Sequence, residues 1–131
     1  MTTALHLTRD LPASDERLWA AFTTAELARW YWPERLAAAA TLDVRPGGEY
    51  AVRSQSTELG FSGRYLSVDE PHGLSFTWRW DGEYAESTVS IVFSDGRLDL
   101  RHEGLADEET RVSHIEGWVS CLDRLALHLA V

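Results

Sequence analysis

The chain of 131 residues contains no lysine, a single cysteine and no hydrophobic run long enough to cross a membrane. All its basic residues are arginine, so no side-chain amine is present to form a Schiff base. Cys121 alone cannot form a disulfide within the chain. The stretch from Met1 to Leu11 lacks both the charged start and the apolar run of a signal peptide. We therefore expect a soluble, cytoplasmic protein without a membrane-spanning segment.

Basic residues are few, and sequence patterns typical of metal sites are missing. Twelve basic residues stand against 21 acidic ones, giving a net charge of -9, and no basic cluster is present. This excludes a nucleic acid as the main partner, because phosphate binding depends on clustered cations. The five histidines show no metal-ligand spacing, and neither a phosphate-binding loop nor a nucleophile elbow occurs. We expect no metal, no cofactor and no catalytic residues.

The most informative stretch is the last one, from Asp107 to Val131. Its apolar residues recur at the spacing of a helix, and Asp107 to Glu109 supply the acidic first turn that a helix N-terminus favours. The pattern predicts a long helix with Glu116, Ser120, Asp123 and Arg124 facing outward. Its predicted inward stripe comprises Ile115, Trp118, Val119, Leu122, Leu125, Ala126 and Leu129.

Most of the preceding chain alternates as strands do. A helix capped by Ser14 and a second over Thr24–Tyr31 follow the first strand, whereas the Ala37–Ala40 run is ambiguous between helix and strand. Arg45-Pro46-Gly47-Gly48 predicts a tight turn. This order indicates one α+β domain over residues 1–131, with a curved antiparallel sheet of seven strands covering the last helix. The predicted strands are Ala4–Leu11, Thr41–Arg45, Glu49–Ser54, Phe61–Asp69, Leu74–Trp80, Ser87–Ser94 and Arg97–Glu103.

Five blocks of the sequence resemble, in order, the domain named after the activator of the heat-shock-protein-90 ATPase. This family belongs to the START or birch-pollen-allergen-like (SRPBCC) superfamily. The resemblance implies a helix-grip fold, in which the sheet grips the final helix around a cavity that often takes apolar ligands. The co-chaperone itself also has a separate amino-terminal domain, which we do not expect here. The blocks are Pro12–Thr23, Glu26–Pro33, Leu42–Tyr50, Gly63–Trp80 and His114–Leu129.

Strand alternation and the helical stripe predict which side chains face the concave surface of the sheet. Most are aromatic, and a packed core explains them as well as a binding pocket does. For Phe61–Asp69 the facing is unresolved, because Phe61 and Tyr65 favour one side and Leu66 and Val68 the other; a bulge could serve both. The candidate ligand-binding residues are Trp30, Trp32, Tyr50, Phe61, Tyr65, Phe76, Trp78, Trp80, His102, Arg111, Trp118 and Leu122.

Four of these candidates carry a particular expectation. Trp30 and Trp32 are expected over one opening of the cavity, or as a hydrophobic plug. His102 is expected to point inward between Leu98 and Leu100, where a hydrogen-bonded core histidine is the alternative to a ligand contact. Arg111 is expected either at the pocket mouth or past the sheet edge. Outside this set, Cys121 is expected to pack as a small apolar residue.

Three functions are compatible with these features. The first is binding of a small apolar molecule between the sheet and the helix. The second is a cyclase-like or hydrolase-like enzyme in which His102 or Arg111 polarises a carbonyl, and the third is a co-chaperone-like interaction module. A solvent-connected cavity below about 100 Å³ would favour the third, because binding sites for drug-sized ligands exceed roughly 300 Å³. Leu127, on the outer helix face, is compatible with a homodimer.

Overall fold

The computed structural model describes residues 2–130, and its elements follow the predicted order. The carboxyl-terminal residue Val131, where the last helix was expected to end, lies outside the described residues. The helices are α1 (Asp15–Thr23), α2 (Leu27–Trp30), a single 3₁₀ turn (Glu34–Leu36) and α3 (Glu108–Leu129). The strands are β1 (Thr3–Asp10), β2 (Ala38–Leu42), β3 (Glu49–Ser54), β4 (Gly60–Asp69), β5 (Gly73–Trp80), β6 (Ser87–Ser94) and β7 (Arg97–Leu105).

The seven strands form one antiparallel sheet in the order β1-β7-β6-β5-β4-β3-β2. Every neighbouring pair from β2 to β7 is a hairpin, and β1 adds to the far side of β7, with Leu5 opposite His102. The sheet curves around α3, with α1 and α2 after β1. The predicted α+β helix-grip fold is thus confirmed.

α3 begins where the sequence predicts. The Asp107 side chain accepts a hydrogen bond from the Thr110 backbone N–H at 2.8 Å, and Glu108 and Glu109 complete an acidic first turn. The buried residues of α3 are Trp118, Cys121, Leu122 and Leu125. The helix therefore buries one face against the sheet, as its apolar spacing requires.

The buried face of α3 is rotated from the predicted stripe. Val119, predicted inward, is 37% exposed, whereas Arg124, predicted outward, is half-buried. The reason is α2, which packs against this flank of α3. Arg124 donates to the backbone carbonyls of Trp30 at 3.1 Å and Tyr31 at 2.6 Å. The guanidinium provides hydrogen bonds to the carbonyl groups at the end of α2, which have no partner within that helix. The helical period of α3 alone could not predict this contact.

The first hairpin is shifted from its predicted position. β2 spans Ala38–Leu42 instead of Thr41–Arg45, so the ambiguous alanine run is mostly strand, and Ala38 pairs with Ser54. Alanine's helix propensity gives way to the ladder hydrogen bonds that β3 offers. The turn at residues 45–48 is confirmed, with Gly47 at φ +84°.

A register shift in β4 resolves the facing of this strand. The shift falls between Tyr65 and Ser67, so Phe61 and Tyr65 lie on the concave side before it and Val68 opposes Leu74 after it. The bulge predicted as one solution is therefore present, and it leaves Leu66 half exposed. An extra residue in one strand changes which face the following side chains point to. Phe61 and Tyr65 are therefore buried and Val68 is partly buried, whereas Leu66 stays exposed.

β4 and β5 approach each other closely beside Tyr50. A side chain at Gly63 would lie about 2.0 Å from the Thr77 carbonyl oxygen, so no other residue fits there. The Tyr50 hydroxyl donates to that same oxygen at 2.6 Å, and the Thr77 hydroxyl oxygen accepts from the Arg64 N–H at 2.9 Å. Side chains thus complete the hydrogen bonding of a locally irregular ladder.

In the part of the chain that the structure describes, no helix has the length and apolar character needed to cross a membrane.

Candidate functional site

The space between the sheet and the buried face of α3 is almost filled. Phe61 stacks on Trp78 with ring centroids 4.8 Å apart and also packs against Tyr31 at 5.2 Å. The cavity that remains measures about 30 Å³, which is room for a few water molecules but not for an organic ligand. Its lining is Phe22, Leu27, Tyr31, Tyr50, Phe61, Tyr65, Leu74, Phe76 and Trp118. We call this region the interior cavity.

A larger space opens at the flank of α3. It has a volume of about 220 Å³, with Trp118 on the helix and Trp78 and Trp80 on β5 lining it. Gly117, also on α3, presents no side chain there, and a Cβ atom at this position would meet nothing within 4 Å. We call this space the tryptophan cleft; it is lined by Tyr31, Trp32, Pro33, Trp78, Trp80, Ser113, His114, Gly117, Trp118, Ser120, Cys121 and Arg124.

A second groove of about 540 Å³ shares Trp78, Trp80, Ser113 and His114 with the tryptophan cleft. It runs between the segment after β5 and the start of α3. We call it the acidic arm, because its charged lining is Glu83, Glu86, Asp107 and Glu109. Together the cleft and the arm form one surface with an aromatic centre and a negatively charged end.

His102 lies behind the aromatic centre and is fully buried. Its Nδ1 accepts a hydrogen bond from the Trp118 indole N–H at 3.0 Å, and its Nε2 lies 2.6 Å from the Ser87 hydroxyl oxygen. Because an indole N–H can only donate, the neutral ring carries its proton on Nε2 and donates it to Ser87. Ser87 in turn donates to the Trp78 carbonyl at 3.3 Å. His102 therefore does not act as a base toward Ser87 in this arrangement.

Burial keeps this histidine neutral. It lowers the pKa of His102 to about 3, with a smaller contribution from neighbouring His114, whose ring centroid is 4.6 Å away. Burial also lowers the pKa of His114, partly offset by the negative charge of Glu83. His114 thus presents an uncharged ring where the cleft meets the arm.

The opposite end of the tryptophan cleft is built on α3 and the end of α2. The Cys121 thiol donates to the Tyr31 carbonyl at 3.1 Å, and burial raises its pKa to about 11. A thiol with so high a pKa is not a nucleophile at neutral pH, in keeping with the packing role expected for it. Arg124 shares the same carbonyl and also donates to the Ser120 hydroxyl at 2.7 Å.

The structure brings most of the candidate residues to one of these two spaces. Tyr50, Phe61, Tyr65 and Phe76 line the interior cavity, Trp32, Trp78 and Trp80 line the tryptophan cleft, and Trp118 lines both. Their role as ligand contacts stays a prediction. Side chains from β5 and α3 line one open space, which lies at the flank of the helix and not beneath it.

Four candidates lie outside both spaces. Trp30 is 1% exposed and donates to the Ala21 carbonyl at 3.0 Å, so it belongs to the core between α1 and α2 and does not cover an opening. Leu122 is likewise buried in the core. His102 is also buried and contacts the cleft only through its hydrogen bond with Trp118. Arg111 donates to the Ala4 carbonyl at 2.7 Å, which places it at the β1 edge of the sheet and away from the cleft.

Several lining residues escaped the sequence analysis. His114 and Gly117 precede Trp118 on α3 by four residues and one residue, and only the rotation of the helix reveals that they border the cleft. The sequence pattern places Ser87 only at the start of a strand and gives no sign of its contact with His102. The i, i+4 spacing of His114 and Trp118 was the one available signal, since residues so spaced share a helix face.

Comparisons with known proteins agree with this architecture. The model of the family described as Activator of Hsp90 ATPase homolog 1-like protein matches residues 12–130. No curated protein matches the chain significantly.

Solved structures with the same fold include three that cover nearly the whole chain. A protein from Chromobacterium violaceum shares 26% identity over 96% of each chain, with a TM-score of 0.82. The AHSA1 protein from Silicibacter pomeroyi shares 29% identity over 98% of each chain, with a TM-score of 0.79. An HSP90 activator from Plasmodium falciparum shares 21% identity over 97% of this chain and 96% of its own, with a TM-score of 0.81.

The family model thus spans almost the entire chain, and its carboxyl-terminal part covers the helix and the strands that form both the cleft and the arm. This protein belongs to the family of Activator of Hsp90 ATPase homolog 1-like proteins.

Proposed function

We propose that the protein binds a small, largely apolar molecule in the tryptophan cleft. The observation that carries this proposal is the open space of about 220 Å³ whose lining includes Trp118 on α3 and Trp78 and Trp80 on β5. Binding sites for small molecules are concave and mostly apolar, with a few polar groups that orient the ligand. Here the orienting groups are the imidazole of His114 and the hydroxyl of Ser113.

The volume sets the size of the ligand. Sites for drug-sized molecules measure roughly 300–1,000 Å³, so the cleft alone fits one or two fused rings. A longer molecule extends into the acidic arm. The interior cavity contributes no binding volume, since its aromatic rings already pack against one another.

The polar groups beside the cleft favour binding over hydrolysis. The Ser87 hydroxyl oxygen accepts a hydrogen bond from His102 and does not donate its own proton to that ring, and the Cys121 thiol is protonated. A nucleophile needs a neighbouring base or a lowered pKa, and neither Ser87 nor Cys121 has that here.

Filling the cleft tests the proposal. Gly117→Leu places a side chain in the gap, and Gly117→Ala serves as the matched control, because both favour the helix and only leucine occupies the volume. The probe is an uncharged solvatochromic dye, Nile red, titrated by fluorescence. The wild type and Gly117→Ala should bind it equally, and Gly117→Leu about tenfold more weakly or worse, a difference of about 1.4 kcal/mol. Equal binding by all three would overturn the proposal.

The filled interior favours a second function, an interaction module that contacts another protein through its surface. A volume of about 30 Å³ is too small to hold an organic ligand between sheet and helix. The activity named for the Plasmodium falciparum neighbour is of this kind. If the wild type binds no apolar probe at all, this second function is the better account.

A further inference from the structure

We propose that Tyr31 determines which ligands the protein accepts: its ring closes the inner end of the tryptophan cleft and keeps a bound molecule out of the interior cavity. This inference rests on the proposed binding function and names the residue that sets how deep a ligand reaches. It follows from the position of Tyr31 between the two spaces, from the rings packed around it and from the anchoring of its backbone.

Tyr31 stands between the tryptophan cleft and the interior cavity. Among the described residues, only Tyr31 and Trp118 line both spaces. Their rings meet edge to face, with centroids 5.8 Å apart and planes at 84° to each other. The two rings therefore form a partition between a space of about 220 Å³ and one of about 30 Å³.

The ring of Tyr31 lies across the passage between the two spaces. It is 7% exposed and packs against Phe61 and Trp32, with ring centroids 5.2 Å and 5.8 Å away. Phe61 lines the interior cavity and not the cleft, whereas Trp32 lines the cleft and not the interior cavity. A ring in contact with a neighbour from each space leaves no room for a ligand to pass, because such interiors contain few voids larger than water.

Trp118, the other half of the partition, is fixed by the fold. Its indole N–H donates to His102 Nδ1 at 3.0 Å, and its side chain belongs to the buried face of α3. A directed hydrogen bond sets the orientation of the ring as well as its position. Replacing Trp118 would therefore disturb more than the partition, and the side chain at position 31 is the part that can vary independently.

The backbone at Tyr31 is anchored without help from its side chain. Its carbonyl oxygen accepts from the Cys121 thiol at 3.1 Å and from the Arg124 guanidinium at 2.6 Å. Its N–H donates to the Leu27 carbonyl at 3.1 Å. A shorter side chain at position 31 therefore opens the partition and leaves the backbone in place.

The partition has a consequence for the chemistry of the ligand. With the ring of Tyr31 in place, a ligand has no apolar tail directed beneath α3, and any extension lies in the acidic arm, which is open to solvent. Without that ring, the cleft joins the interior cavity, whose lining is mostly apolar and aromatic. An alkyl tail buried there gains about fourfold in affinity for each methylene group.

Two phenols test the inference. 4-Ethylphenol and 4-butylphenol share one ring and differ in their tails by two methylene groups. Isothermal titration calorimetry compares the wild type, Tyr31→Ala and the matched control Tyr31→Phe, which keeps the ring and removes only the hydroxyl. In Tyr31→Ala the longer phenol should bind about tenfold tighter than the shorter one. In the wild type and Tyr31→Phe this advantage should stay below about threefold, since the tail is buried only in part.

Intermolecular nuclear Overhauser effects locate the tail of 4-butylphenol. Leu74 lines the interior cavity, and His114 lines the cleft. The ring protons should contact His114 in all variants, and the butyl protons should contact the Leu74 methyl groups only in Tyr31→Ala. A second control, Phe76→Ala, enlarges the interior cavity from β5 and keeps the partition, so no contact with Leu74 is expected.

Tyr31→Val guards against a variant that does not fold, because Tyr31→Ala removes a buried ring. Valine is also shorter than tyrosine and opens the partition in the same way, so it should show the same contact with Leu74 and a smaller preference for the longer phenol. Circular dichroism and thermal unfolding establish that each variant is folded. A folded Tyr31→Val without this contact overturns the inference as a folded Tyr31→Ala without it does.

The outcomes separate this inference from the proposed function. An equal advantage of the longer phenol in all variants overturns the inference while ligand binding in the cleft stands. A contact with Leu74 in the wild type or in Phe76→Ala also overturns it, since the interior is then reached with the ring of Tyr31 in place. If neither phenol binds to any variant, the proposed function fails and the inference fails with it.

Discussion

The interior cavity and the tryptophan cleft lie on two sides of α3, and Trp118 lines both. On the interior side, rings from β3, β4 and β5 close the space to about 30 Å³. On the flank, a gap of about 220 Å³ remains. In the interior, aromatic rings pack directly against one another, whereas the lining of the cleft includes Gly117 of α3, which has no side chain. A Cβ atom at Gly117 would meet nothing within 4 Å, so this part of the helix leaves the groove unfilled.

The two regions also differ in how their polar groups are satisfied. In the interior, the Tyr50 hydroxyl has a backbone partner at 2.6 Å, and burial raises the pKa of Tyr50 strongly. The indole N–H of Trp78, a residue that lines the cleft, is buried and makes no hydrogen bond to the described residues. Buried polar groups are generally hydrogen-bonded, so Tyr50 follows the rule for a protein interior and Trp78 departs from it.

The largest expected effect comes from a substitution in the packed interior. Phe61→Ala removes a ring that is 2% exposed and packs on five other aromatic side chains, so we expect a loss of about 3–5 kcal/mol in the free energy of unfolding. Urea denaturation followed by circular dichroism measures it. A loss below about 1.5 kcal/mol would show that the interior is looser than its contacts indicate.

The next effect concerns the histidine between the two regions. The pKa of His102 is about 3 in the folded chain and near 6.5 in the unfolded chain, so below pH 6.5 the unfolded state binds the additional proton. The contribution of neutral His102 to the free energy of unfolding is therefore fully present above pH 6.5. It is lost progressively as the pH falls toward 3. Between pH 7 and 5 we expect a loss of about 2 kcal/mol from His102, with His114 acting in the same direction.

Two carboxylates with lowered pKa values act mainly outside this pH window. The pKa values of Glu26 and Asp107 are lowered, by hydrogen bonds from Arg17 and from Thr110 respectively, so their contributions are lost mainly at more acidic pH. The measurement is the urea midpoint as a function of pH, together with ¹⁵N spectra of the His102 ring. A protonated His102 ring at pH 5 would contradict the prediction.

A smaller effect is expected on the open side. Trp80 is larger than Phe61 but is half-buried, with neighbours in Phe61 and Trp78 and open space toward the cleft. Trp80→Ala should cost about 1–2 kcal/mol, less than Phe61→Ala, because little new cavity is created. The same denaturation experiment provides the comparison. Equal costs for the two variants would remove the distinction between a packed region and an open one.

The smallest effect is a gain in stability. Gly117 lies in the interior of α3, where a Cβ atom meets nothing within 4 Å. Gly117→Ala should stabilise the protein by about 0.5–1 kcal/mol through helix propensity alone, measured as a higher midpoint of thermal unfolding. A loss of stability would mean that the flank of α3 is more crowded than the cleft implies.

Much of the fold could be predicted from local sequence patterns. Strand alternation placed Tyr50, Phe76 and Trp78 on the concave side, because the period of a strand is fixed by its geometry. Helical spacing located α3 and its acidic start. The conflict between Phe61 and Leu66 within one strand was itself the signal of the bulge, since a regular strand cannot face both ways.

The candidate site was predicted less well. Trp30 and Trp32 are two residues apart, yet the first is core and the second borders the cleft, and that choice depends on how α2 packs between α1 and α3. Val119 and Arg124 exchange their expected environments for the same reason. Periodicity defines a face only relative to the neighbours that cover it.

The sequence by itself determined the elements, their order, the negative charge and the supply of aromatic residues, because these depend on local conformational preference and composition. Only the tertiary structure decided that the rings close the interior and leave a cleft at the flank of α3. That outcome depends on contacts between residues distant in the chain, such as Trp118 with His102 and Arg124 with Tyr31. Such contacts are fixed by packing, which no single segment encodes.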